Sequence, residues 1–288
     1  MARHDHVQRF CWEQILRTNR LFRVSHLFAP RHLSEQLLAL HALFASIELL
    51  NYAISEELVT HRKLDWWRAE LLQPNAAVSR HPIVRHLYDT GALRKLPAST
   101  LGRLLDNAES RFDAPAPKDE DDFLRLCQEI CRPQALLELA LEGIDETSIS
   151  FNTTRLFDGG LMQLLRERGR RKENAFWWVP LSILARFKVN RNELEALHDS
   201  ELLQALFTHI LALRGPSADY QMFKRQADFE EGAGLVHLQL INALQSRQLD
   251  RLQGMSPDLY SSELTRWRIG DLMKTWKLAR QLNMDSDR

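Results

Sequence analysis

The sequence predicts an all-α protein, one helical bundle running through residues 1–288, and three observations carry that reading. Apolar residues recur at three- and four-residue steps nearly throughout, which is the repeat of a helix face. Alternating apolar and polar residues with β-branched enrichment, the mark of a half-buried strand, are missing. Prolines at positions 30, 74, 82, 97, 115, 117, 133, 180, 216 and 257 cut the chain into helix-length pieces, and each is expected at a helix boundary or in a first turn. No composition shift marks a domain boundary. Lys plus Arg and Asp plus Glu both total 38, which removes the general electrostatic reason to expect nucleic acid as a partner. A secretory signal and an apolar run of bilayer length are both missing, so a soluble cytoplasmic protein is expected.

Taken in chain order, the segment from Ser34 to Ile54 is apolar on nearly every side. Leu37, Leu40, Leu43, Ile47 and Leu50 cover one face and Phe44 and Tyr52 another, which suits a helix at the centre of a bundle. Glu48 falls on the side of Phe44 and Tyr52, and a carboxylate carried into the interior costs several kcal/mol unless a partner neutralises it. The Trp66-Trp67 pair is expected in a core or helix interface, as is Trp177-Trp178. Ala114-Pro115-Ala116-Pro117 reads as a short stiff connector. The acidic run Lys118-Asp119-Glu120-Asp121-Asp122 precedes Phe123, Leu124 and Leu126, where acids cap a first turn and complement the helix dipole, so capping is expected over metal binding.

Cysteines number three, at positions 11, 127 and 131, an odd count that argues against a disulfide framework. Cys127 and Cys131 lie four apart on a helix with no further Cys or His nearby in sequence, and are expected as buried thiols rather than metal ligands. From Thr154 to about Lys172, Gln163, Glu167 and Arg170 or Arg171 form one polar stripe while Leu161, Leu164 and Leu165 pack elsewhere. From Arg266 to Leu282, Ile269, Leu272, Met273 and Trp276 share a face, with Arg266, Lys274, Lys277 and Arg280 around the others. That arrangement suits a helix lying on an anionic membrane surface, as a peripheral contact through residues 266–282, or a helix packed on the bundle; packing is expected.

The stretches Ser25-His26-Leu27-Phe28-Ala29-Pro30, Leu37-Leu38-Ala39-Leu40-His41-Ala42-Leu43-Phe44 and Leu64-Asp65-Trp66-Trp67-Arg68-Ala69-Glu70-Leu71 together resemble the squalene/phytoene synthase family. Val179-Pro180-Leu181 and Leu184-Ala185-Arg186-Phe187 extend the likeness, which covers about residues 20 to 190. The resemblance implies the isoprenoid synthase fold, a helical bundle around a central cavity. Active members join two prenyl diphosphates head to head, and two aspartate-rich helix motifs facing across the cavity hold magnesium on the diphosphates. Acids four apart share a helix face, so each motif offers magnesium two oxygen ligands.

On this chain the first motif falls on Glu48-Leu49-Leu50-Asn51-Tyr52 and the second on Glu167-Arg168-Gly169-Arg170-Arg171, so each pair keeps one acid and loses the other to Tyr52 or Arg171. An arginine of active relatives aligns with Ala45, an upstream basic position with Glu35, and a segment beyond the second motif reads Ala175-Phe176-Trp177-Trp178. Glu167 and Arg171 are expected to pair at i to i+4, with Arg166 and Arg170 adding positive charge that repels a metal. Glu48 and Glu167 are expected on facing walls of one cavity, each satisfied by arginine, and are the metal ligands if any exist.

The chain looks closer to the branch that includes a non-catalytic assembly factor of respiratory complex I than to the carotenoid and squalene enzymes. The leading expectation is a binding or assembly protein without catalysis or cofactor, acting on an unknown protein partner, with a cavity able to take an isoprenoid or lipid tail. The alternative is a divergent prenyl transferase in which Glu48 and Glu167 share one magnesium. A third reading is an anion or lipid-phosphate carrier using Arg166, Arg170 and Arg171.

Overall fold

A computed structural model describes residues 2–53, 57–72, 79–113, 115–151, 153–168, 177–196, 201–214, 223–225, 235–253, 255, 263–264 and 266–286. Its α-helices are α1 (Ala2–Thr18), α2 (Phe22–His26), α3 (Ser34–Ala53), α4 (Glu57–Leu72), α5 (Pro82–Asp89), α6 (Ala98–Asp113) and α7 (Glu120–Leu141). They continue as α8 (Thr153–Arg168), α9 (Leu181–Arg186), α10 (Arg191–Ala196), α11 (Glu201–Ala212), α12 (Leu235–Leu252) and α13 (Ile269–Ser286). The one departure from all-helical structure among the described residues is a short antiparallel pairing of β1 (Ile149–Phe151) with β2 (Phe223–Arg225), in register Ile149 to Arg225.

Two large apolar cores stand out among the described residues, beside a small third cluster of Val236, Leu240 and Ala279. One gathers α1, α3, α5 and α6 around Leu37, Leu40, Leu43 and Leu105; the other gathers α8, α11 and α12 around Phe157, Leu161, Phe207 and Ile241. Helix α7 contributes to both, with Leu137 and Leu141 in the first and Phe123, Cys127 and Leu139 in the second. Helix α3 is buried from Leu37 to Asn51 apart from the half-buried Ser46 and Leu49, as its apolar circumference predicts.

The acidic run caps α7. Asp119 Oδ1 accepts from Asp122 N at 2.8 Å while Asp122 Oδ2 accepts from Lys118 N at 3.1 Å, so two backbone donors at the helix start are satisfied reciprocally. Pro133 does not end a helix as expected: α7 continues through it. The proline cannot supply the N–H that would bond the carbonyl of Glu129. Asn107 Nδ2, from α6, donates to that carbonyl at 2.6 Å instead, so the break is repaired from outside the helix.

Helices α7 and α8 cross at near backbone contact. A methyl group on Gly160 would fall inside the backbone of Cys127, and one on Gly159 would collide with the Cys131 side chain. Burial pushes the Cys131 thiol up to about 12 and the Cys127 thiol well above its usual range. Both cysteines therefore lie at a helix crossing, Cys131 packing its thiol and Cys127 its backbone against glycine.

Trp67, Trp177 and Trp178 are buried, and Trp178 stacks on Phe123 with centroids 5.7 Å apart; Trp66 is 39 % exposed. The C-terminal helix corrects the packing expectation. Ile269, Met273 and Trp276 are exposed at 74 %, 58 % and 46 %, and α13 packs through Asp271, Thr275 and Ala279. Its rotation is set by polar pins: Asp271 accepts from Arg251 Nη1 at 2.6 Å and from Arg268 N at 2.8 Å, and Thr275 Oγ1 donates to Asp271 O at 2.6 Å. Among the described residues no helix is long and apolar enough to cross a membrane.

Candidate functional site

Where the two cores meet, α3, α7, α8 and α12 enclose a cavity of about 40 Å³ with polar walls, among them His41, Glu48, Glu138 and Arg166. Glu48 sits on the stripe of α3 that also carries His41, seven residues earlier, and is buried. Arg166 crosses from α8 to meet it, Nε to Oε1 at 3.2 Å and Nη2 to Oε2 at 3.4 Å, so the guanidinium fork engages both carboxylate oxygens. The third nitrogen, Arg166 Nη1, is buried and has no hydrogen-bond partner among the described residues.

Glu167, the next residue, is also buried, and its described cation is Arg111 of α6, whose Nη1 donates to Oε1 at 2.6 Å. The amides of Asn51 and Gln163 complete the cradle when their oxygens are turned to the Arg111 guanidinium. Both motif carboxylates are thus interior and matched by arginine. Glu48 lines the cavity; Glu167 lies beside it in the α6 contact rather than on a facing wall. Arg170, Arg171 and the side chain of Tyr52 lie outside the described residues, so the expected Glu167 to Arg171 pair is not described.

Arg111 was legible in principle. It continues the stripe Leu101, Leu104, Leu105 and Ala108, all buried, and a charge on a buried stripe demands a counter-charge. Magnesium does not fit this donor set. It asks for grouped, freely approachable oxygens, whereas both Glu48 oxygens already accept from Arg166 and Glu167 accepts from Arg111.

A second cluster stands along the same cavity. Glu138, inside α7, accepts from both sides: His41 Nε2 lies 2.9 Å from Oε1 and His237 Nδ1 lies 2.8 Å from Oε2. Ser25 Oγ, on α2, lies 3.0 Å from the other nitrogen of His237. Burial raises the Glu138 carboxyl, but the two imidazoles outweigh it and hold the group down at about 2, so it is ionised. Burial lowers His237 against the opposing pull of Glu138. Sequence reasoning missed this cluster because positions 41, 138 and 237 come from three separate helices; the signal was a polar residue at the centre of each apolar run, Leu-His-Ala, Leu-Glu-Leu and Val-His-Leu.

The chain resembles known proteins at two levels. A sequence profile described as squalene/phytoene synthase matches residues 16–215. A dehydrosqualene synthase crystallised with a ligand superposes with a TM-score of 0.68 at 14 % identity, covering 98 % of each chain. Squalene synthase HpnC from Alicyclobacillus acidocaldarius superposes with a TM-score of 0.53 at 17 % identity, covering 98 % of this chain and 97 % of that one. No curated protein sequence matches the chain.

Proposed function

The chain belongs to the squalene/phytoene synthase family and has its all-α fold, and from that premise we propose that it is a member acting in binding or assembly, without prenyl transfer. The observation that supports this reading is the Glu48–Arg166 fork. A buried carboxylate already matched by a guanidinium gives up that match if a metal takes it, and leaves an uncompensated buried cation behind. Arginine stays protonated and cannot relieve the cost.

The small volume of the cavity supports a small polar occupant. Its roughly 40 Å³ is far below the about 300–1,000 Å³ of ligand pockets, and holds water or an ion. An isoprenoid or lipid tail requires α3 and α8 to part. Arg166 Nη1, without a hydrogen-bond partner among the described residues, favours a second reading, in which the cavity holds an anionic group directly.

Purified full-length protein with farnesyl or geranylgeranyl diphosphate and magnesium is expected to release no pyrophosphate. Magnesium-dependent release that disappears in Glu48→Gln would overturn the proposal in favour of a divergent transferase. Diphosphate binding that survives EDTA but is lost in Arg166→Met would establish the second reading.

A further inference from the structure

We propose that His41, Glu138 and His237 form a zinc site on the wall of the central cavity. The three ligand atoms, one from each of α3, α7 and α12, all lie within 4.8 Å of one another, and all three residues are buried. Two imidazoles with one carboxylate suit zinc rather than magnesium, because nitrogen donors favour the borderline ion. Three protein ligands leave a fourth position. His41 and Glu138 line the cavity, which has room there for a water, with Arg166 among its other walls.

The outer partner of His237 is compatible with a cation as well. Ser25 has one hydroxyl proton and two acceptors in reach, Phe22 O at 3.1 Å and His237 Nε2 at 3.0 Å. When the proton goes to Phe22 O, His237 Nε2 carries its own hydrogen and donates to Ser25. The bare Nδ1 lone pair then faces a carboxylate oxygen 2.8 Å away, and the two repel unless a cation stands between them. In the other tautomer Ser25 donates to Nε2, Nδ1–H donates to Glu138, and the metal-free cluster is satisfied. A shift of tautomer, with no net proton exchange at His237, therefore turns that imidazole from a donor to Glu138 into a ligand whose outer hydrogen bond, to Ser25, is already in place, and His41 makes the same shift to free its Nε2.

The site is independent of whether the protein transfers prenyl groups. Equilibrium dialysis of the full chain against zinc chloride, with metal measured by mass spectrometry, is expected to give about one zinc per chain. His41→Gln and His237→Gln are expected to lower affinity at least a hundredfold, and Cys131→Ser to leave it unchanged. Cobalt(II) is expected to give visible bands without thiolate charge transfer, a readout on wild-type protein that holds even if a variant misfolds. Absence of stoichiometric zinc or cobalt in the wild type, or full retention in both histidine variants, overturns the site.

A separate observation concerns the exposed face of α13. We infer that Trp267, Ile269, Met273 and Trp276 dock this end of the molecule on an anionic lipid surface. All four are exposed. Exposed Lys274, Lys277 and Arg280 flank them along the helix. Arg20, Arg23 and Arg266 line with Trp267 an open depression of about 360 Å³, and none of these three arginines forms an ion pair among the described residues. Spare cations beside exposed indoles match anionic headgroups above an apolar boundary. In flotation, the full chain is expected to rise with phosphatidylglycerol-containing vesicles and stay behind with pure phosphatidylcholine. Trp276→Ser with Met273→Ser is expected to lower binding at least tenfold with the melting temperature unchanged. Equal binding to both vesicle types, no binding to either, or a concentration-dependent dimer that the double substitution dissolves would overturn the inference.

Discussion

Glu167→Gln is expected to destabilise the protein by roughly 3–5 kcal/mol, because it leaves the Arg111 guanidinium in the interior without its charge partner. In a thermal melt that is a fall of about 5–8 °C for a chain of this size. The companion measurement gives the result its meaning. Arg111→Met combined with Glu167→Leu removes both charges and is expected to recover most of the loss, since an apolar pair of similar volume replaces a buried ion pair at little net cost. A carboxylate kept for metal chemistry predicts the opposite pattern: a single substitution that leaves stability nearly untouched, and activity that the double variant fails to restore. A loss under about 1 kcal/mol in Glu167→Gln would mean that the Arg111 contact does not hold the two helices.

Asp158→Asn is expected to be equally severe, again roughly 3–5 kcal/mol, by the same removal of a fully buried charge. Asp158 lies on α8 and ties two other elements to it. Arg155 Nη1 donates to Oδ2 at 2.9 Å, Arg214 Nε donates to Oδ1 at 2.8 Å, and Arg214 also reaches the carbonyl of Ser246 on α12 at 3.1 Å. The paired carboxylates of Asp158 and Asp250 hold Arg214 above its usual range against the downward pull of its burial. Ser246→Ala, which removes a neutral hydroxyl bonded to Arg155 and Asp158, is expected to cost about 1.5–3 kcal/mol and serves as the scale. Urea denaturation of the three proteins checks the ranking; equal midpoints for Asp158→Asn and Ser246→Ala would refute it.

Much of the fold was legible because it is written locally. The three- and four-residue apolar repeat specifies helices, and the Asp119 to Asp122 run caps α7 with atoms a few positions apart. Pro133 misled because its repair comes from Asn107, on another helix, and no local rule anticipates a donor supplied across the bundle. The α13 stripe misled for a related reason: Ile269, Met273 and Trp276 are the apolar choice for burial, yet Asp271 and Thr275 rotate the helix by their hydrogen bonds to Arg251 and to its own backbone.

The candidate site divides along the same line. That Glu48 and Glu167 sit on helix faces without a second acid follows from the order of residues alone, because i to i+4 spacing is local geometry. Which arginine answers each acid does not: Arg166 reaches Glu48 over 118 positions and Arg111 reaches Glu167 over 56. The meeting of His41, Glu138 and His237 likewise exists only once three helices pack side by side. Periodicity determined the class of fold, and the family resemblance located the two motifs that lack a second acid; tertiary packing alone decided the ion-pair partners, the buried imidazole cluster and the exposed face of α13, since a contact between distant residues is a property of how helices are arranged in space.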